Sequence, residues 1–73
     1  MSLTLVLNGQ ARTFATLQEA STLDRLIVEL GLQSDRVAVE HNGEIVTRTA
    51  WNQSRLAPGD RLEVVHFVGG GRS

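Results

Sequence analysis

Leucine fills every odd position of Leu3-Thr4-Leu5-Val6-Leu7, so apolar and other side chains alternate with period two. That alternation lays one face of a β-strand on a core. Asn8-Gly9 follows, a pair that tolerates the positive φ of tight hairpin turns, and Ala11-Arg12-Thr13-Phe14 is expected to return as the antiparallel partner. The period then changes. Leu23, Leu26, Ile27 and Leu30 fall at i, i+3, i+4 and i+7, a single helical stripe, with Asp24, Arg25 and Glu29 on the other side. Ser21-Thr22 offers a hydroxyl N-cap, and Asp24 puts negative charge in the first turn, where the helix dipole favours it. Gly31 stands at the C′ position, with Leu32 beyond it to cover the helix end. Burying the stripe is worth roughly 1.5–3 kcal/mol per side chain before entropy is subtracted.

Val37-Ala38-Val39-Glu40-His41 has the third strand pattern, with Val37 and Val39 inward. A second hairpin turn, Asn42-Gly43, leads into Glu44-Ile45-Val46-Thr47-Arg48. From Thr49 to Ala57 the pattern breaks down, and a connection with one short helical turn near Ala50-Trp51-Asn52 is expected. Trp51 is expected to pack that connection on the sheet with its indole edge at the rim. Pro58-Gly59-Asp60 is a turn, because proline presets φ at its second position, and Arg61 to Val68 is the last strand. One helix across one mixed sheet of four to five strands satisfies the apolar faces of both, which makes the chain an α+β domain. If the first and last strands lie side by side at the centre they run parallel, and the architecture is the ubiquitin-like β-grasp. Residues 1–68 form that domain and residues 69–73 a glycine tail.

Composition narrows the function classes. A chain of 73 residues is one small domain, and a core of that size typically leaves about 3–5 kcal/mol of net stability. With no cysteine there is no thiolate nucleophile, no cysteine-ligated iron–sulfur cluster and no zinc knuckle. His41 and His66 have no carboxylate or thiol spaced with them as a motif, so neither a catalytic nor a metal role is expected. The formal net charge is −1 and shows no basic stripe, which argues against nucleic acid. Neither a secretory signal nor an apolar run long enough for a bilayer is seen, so a cytoplasmic, monomeric domain without membrane contact is the expectation.

The end of the chain is the most informative stretch. His66-Phe67-Val68 empties into Gly69-Gly70-Gly71 and then Arg72-Ser73. Glycine loses more freedom on folding than any other residue, so a run of it suits a side-chain-free arm that threads into a narrow site. A frayed terminus or a linker has the same composition, and composition alone leaves both open.

Several segments together resemble the ThiS family, the sulfur carriers of thiamine biosynthesis. They are Leu7-Asn8-Gly9, the helix ending Leu30-Gly31-Leu32, and Val37-Ala38-Val39-Glu40 with Asn42-Gly43-Glu44-Ile45-Val46. The most specific is Leu56-Ala57-Pro58-Gly59-Asp60-Arg61-Leu62-Glu63-Val64-Val65 running into His66-Phe67-Val68-Gly69-Gly70-Gly71. The resemblance implies a carrier rather than an enzyme, with no cofactor of its own. An E1-like adenylating enzyme would use ATP and magnesium to activate the carboxylate of Gly71, beside Gly70. A sulfur donor such as a cysteine desulfurase would supply the thiocarboxylate's sulfur, and thiazole synthase would consume it. Family members end on the glycine, so Arg72 and Ser73 are expected to be a cloning remnant or to be removed by a protease. The small subunit of molybdopterin synthase shares the fold and the thiocarboxylate, a ubiquitin-like modifier shares the tail, and a recognition module without chemistry remains a further alternative.

A partner face should accompany the tail. In the last strand Leu62 and Val64 share a parity with Val68, whereas Val65 and Phe67 share the parity of Glu63 and are expected to face solvent. Large apolar side chains exposed just before an arm suggest docking, with Val65, Phe67, Val68 and Gly69 as the contact. The plainer alternative is that Phe67 folds over the sheet edge or packs under the connection. Asp35, Arg36, Arg48 and Arg55 are most simply solvated surface.

Overall fold

The computed structural model describes residues 2–67. The first hairpin pairs β1 (Leu3–Leu7) with β2 (Gln10–Phe14), Leu3 opposite Phe14 and Leu7 opposite Gln10. Asn8 and Gly9 turn it with φ of 50° and 83°, the left-handed pair that matches the twist of the flanking strands. The helix α1 (Leu23–Glu29) buries Leu23, Leu26 and Ile27 as its stripe requires. Its C-terminus closes as a Schellman motif: the Gly31 amide donates to the Val28 carbonyl and the Leu32 amide to that of Ile27. Gly31 takes the positive φ of 73° that this closure needs, and Leu32 packs on the core as expected.

The N-terminus of α1 departs from expectation. Thr22 occupies the N-cap position but makes no side-chain bond to a helix amide, because its hydroxyl donates to the Asp24 carboxylate instead. Backbone pairing holds this end: the Leu23 amide donates to Ser54, the Leu56 amide to Ser21 and the Ala20 amide to Leu56. The connection after the second hairpin therefore runs back beside the helix start and delivers Leu56 to the core.

A short 3-10 turn (Ser34–Arg36), which carries no apolar period, precedes β3 (Val37–His41). β4 (Glu44–Val46) is shorter than its expected Glu44–Arg48 span, because a 3-10 helix (Arg48–Gln53) starts two residues later. Trp51 within it is buried at 2% exposure, not placed at the rim. Its indole Nε1 donates to the Val46 carbonyl at 2.9 Å, which satisfies the polar edge internally and ends the strand there. β5 (Arg61–His66) stops short of Val68, and Phe67 still donates its amide to the Arg36 carbonyl.

The sheet order is β2-β1-β5-β3-β4. β1 and β5 pair in parallel, Val6 with Arg61 and Leu7 with Leu62, and β5 pairs antiparallel with β3 from Val37↔His66 to His41↔Leu62. A mixed sheet with its last strand at the centre and one main helix is the expected β-grasp. Leu3, Leu5, Leu7, Val37, Val39 and Leu62 meet the helix in one buried cluster with Leu17, Trp51 and Leu56. Among the described residues no element covers the other face of the sheet, where Thr4, Glu40, Ile45, Glu63 and Val65 are exposed.

Candidate functional site

β5 is the strand to which the tail is attached, and its anchoring is unusual. It outruns β1 on one side, and there the side chain of Asn8 takes the place of the missing strand residue. Asn8 Oδ1 accepts the Val64 amide at 2.8 Å, while Asn8 Nδ2 donates to the Val64 carbonyl at 3.3 Å. At the other end of β5, Asn42 acts similarly: its backbone amide donates to the Arg61 carbonyl and its Oδ1 accepts the Arg61 amide, both at 2.8 Å. The asparagines of both Asn-Gly turns thus bond β5, Asn8 with its whole side-chain amide as a surrogate peptide and Asn42 with its Oδ1 beside its own backbone amide. The sequence signal for them was the turn alone.

A polar cluster lies beside the Arg61 end. Asp60 Oδ2 accepts from His41 Nε2 at 2.7 Å and from the Ala57 amide at 2.9 Å, and Asp60 Oδ1 accepts from Asn42 Nδ2 at 3.2 Å. Burial pushes the Asp60 carboxyl up, but the bonds from His41, Ala57 and Asn42 and the charge of His41 outweigh it, holding the pKa below the ordinary carboxylate value. The carboxylate joins the Pro58-Gly59 turn to the Asn42-Gly43 turn. His41 therefore does have an acidic partner, 19 residues away in sequence and beyond the reach of any motif. Its bond to Asp60 helps to hold two turns together.

The side chains expected to face solvent do so. Val65 is 57% exposed and Phe67 is 52% exposed, while Leu62 is buried and Val64 packs partly on the core. Phe67 neither folds under the connection nor joins the core, and it ends the described residues with its amide tied to Arg36. Val68, Gly69, Gly70 and Gly71, the remaining residues expected at the site, lie outside the described residues, as do Arg72 and Ser73. On the helix-side face, His66 borders a cleft of about 290 Å³ with Asn8, Arg12 and Leu32.

A family model described as the ThiS family matches residues 5–71, from the first strand through the last of the three glycines. The chain belongs to the ThiS family. The sulfur carrier protein ThiS of Bacillus subtilis is 35% identical over 54 residues, which are 74% of this chain and 82% of that protein. The crystal structure of a thiamine biosynthesis protein (ThiS) from Geobacter metallireducens superposes with a TM-score of 0.78 at 31% identity, covering 94% of this chain and all of that one. A thiazole synthase of Paramagnetospirillum magneticum is 45% identical over 67 residues, 92% of this chain but 20% of that protein. The chain spans about a fifth of the length of the thiazole synthases it matches. Of the families left open by the residues alone, the ThiS resemblance is the one the comparisons bear out, and the ThiS structures share the β-grasp sheet.

Proposed function

We propose that this chain is a sulfur carrier of thiamine biosynthesis, a protein co-substrate that presents the carboxylate of Gly71 to two partners in turn. The observation that carries this reading is the ThiS match extending through the glycines, on a chain whose central strand is the last element before them. A carboxylate resists attack by a sulfur nucleophile because its negative charge is delocalised and oxide is a poor leaving group. An adenylating enzyme with ATP and magnesium removes that obstacle: the carboxylate attacks the α-phosphorus, pyrophosphate leaves, and an acyl-adenylate forms. The terminal sulfur of a persulfide donor, such as the one a cysteine desulfurase carries, then attacks the acyl carbon and AMP leaves. A thiol cleaves the resulting acyl disulfide, releasing the thiocarboxylate and ending in a disulfide with the donor's cysteine. The absence of cysteine from the chain is compatible with this route, since the sulfur rides on the terminal carbonyl carbon. Two relatives named thiazole synthase contain a stretch like this chain, which supports thiazole synthase as the protein that consumes the sulfur.

The rigid part of the molecule supplies position. β5 is bonded to β1 and β3, and Asn8 extends that hold past the end of β1. Val65 and Phe67 project from the helix-free face at the root of the tail, where a partner that swallows the glycines would meet them. Gly70 and Gly71 carry no side chain to obstruct entry.

The test compares the full chain with one ending at Gly71. Each is incubated with the adenylating enzyme, ATP, magnesium and a sulfur donor, and read by intact mass. The Gly71-terminated chain is expected to exchange one oxygen for sulfur and the full chain to stay unmodified. If neither gains sulfur, the carrier function fails.

A further inference from the structure

The helix-free face of the sheet contains a feature that the fold does not need. A groove of about 170 Å³ is lined by Ala38, Val39, Glu40, Ile45, Glu63 and Val65, crossing β4, β3 and β5. Ile45 is 77% exposed, and Val65 stands next to Ala38 across the β3–β5 ladder. Glu40 and Glu63 face each other directly across the same ladder, with Ile45 opposite Glu40 on its other side. Like charges directly opposed on a sheet destabilise it. Neither carboxylate makes an ion pair among the described residues, where the pairs formed are Arg25–Glu29 and His41–Asp60. Glu40 and Glu63 are both exposed, so this opposed acidic couple at an apolar groove is open to a cation that would offset the repulsion between them.

We propose that this groove docks the enzyme that activates the tail, through a segment of that enzyme presenting an arginine or lysine flanked by apolar side chains. The cation sits between Glu40 and Glu63, and its apolar neighbours cover Ile45 on one side and Val65 on the other. The inference rests on the carrier reading, and it adds the chemistry by which the carrier is recognised. Continuity favours this occupant: Val65 belongs both to the groove and to the exposed row that ends at Phe67, the last described residue before the tail in the sequence. A second copy of the chain on this face would bring two such acidic couples together, and an anionic membrane surface or nucleic acid would be repelled. Arginine is the better fit of the two cations, because its planar fork can engage both carboxylates while its faces stack on apolar neighbours.

The test uses the chain ending at Gly71, which removes Arg72 as a rival cation, and measures pyrophosphate release by the activating enzyme against carrier concentration. The double variant Glu40→Lys with Glu63→Lys is expected to raise KM by about thirtyfold or more and to leave kcat within twofold, since neither glutamate belongs to the glycine segment that reacts. The neutral pair Glu40→Gln with Glu63→Gln should raise KM severalfold while raising the melting temperature, because it relieves the opposed charges. Those two shifts together separate docking from a merely structural role, which would lose stability along with activity. Glu19→Lys, on an exposed loop outside the groove, serves as the control for net charge and should change KM less than twofold. If the wild-type chain is activated and both double variants keep its KM, the docking proposal falls and the carrier function stands. If the wild-type chain is not activated at all, both fall together. A self-associated chain by light scattering, reversed by the lysine variants, would assign the groove to a second copy and overturn the proposal.

Discussion

Replacing Asn8 separates two contributions that the structure superimposes at one residue. The backbone of Asn8 sits at φ 50°, a left-handed conformation that costs an alanine about 1 kcal/mol and glycine nothing. Its side chain makes the paired bonds to the Val64 amide and carbonyl at 2.8 and 3.3 Å. Both bonds are exposed, so water can replace them in part, and each is worth about 0.5–1 kcal/mol, the lower half of the usual range. Asn8→Gly keeps the turn and loses only the surrogate peptide, for a cost of about 1–2 kcal/mol. Asn8→Ala adds the backbone strain and should cost about 2–3 kcal/mol, a large part of the net stability of a domain this size. Urea denaturation gives the stabilities, and hydrogen exchange at the Val64 amide localises the loss. In Asn8→Gly, Val64 should exchange faster relative to Leu62, whose place in the ladder with β1 and β3 is untouched. Equal stability of Asn8→Gly and wild type, with unchanged exchange at Val64, would refute the claim that the side chain completes β5.

Other residues make sharp tests of the same kind. Under the proposed function Phe67→Ala should raise the KM of the activating enzyme for this chain by about tenfold, with little effect on unfolding because Phe67 is already half exposed. Unchanged activation kinetics with a large loss of stability would instead make Phe67 a packing residue. Trp51→Phe removes the donor to the Val46 carbonyl and leaves a void in the core, for about 2–3 kcal/mol by chemical denaturation. Gly31→Ala meets nothing within 4 Å, so its cost is conformational, about 1 kcal/mol from the positive φ of 73°. For Asp60, the folded carboxyl has a lowered pKa, so its stabilisation is complete above the unfolded value of about 4 and is lost as pH falls through the folded value. Asp60→Asn should lower stability at neutral pH by about 1–2 kcal/mol and flatten the melting-temperature profile below about pH 4.

The parts of the fold legible in sequence are those where a local period meets a local punctuation mark. β1 shows leucine at alternate positions and stops at Asn8-Gly9, and α1 shows a clean stripe and stops at Gly31. The parts that escaped depend on partners remote in the chain. Trp51 is read as a rim residue as long as its indole has no acceptor, and the Val46 carbonyl becomes one only when β4 is cut short. Thr22 has the right side chain for a cap, yet Asp24 competes for its hydroxyl and the extended segment at Ser54–Leu56 supplies the order a cap would have given. The same limit applies to the site. The parity of β5 placed Val65 and Phe67 in solvent, because alternation is local. The couple Glu40–Glu63 needs the register between β3 and β5, which no stretch of either strand contains.

That register exposes a division of labour between the two faces of β5. Facing the helix, Leu62 is fully buried and Val64 packs at the edge of the core, so changes there act through stability. On the other face, Arg61, Glu63, Val65 and Phe67 are exposed, and changes there can alter recognition without unfolding the chain. The backbone between the faces is held by the neighbouring strands and, where these fall short, by Asn8 and Asn42. Fixing the strand through its backbone leaves the outward side chains free of structural duties. Under the proposed carrier function that separation is an advantage, because the outer face can be shaped by docking while the backbone of β5 stays fixed by its neighbours.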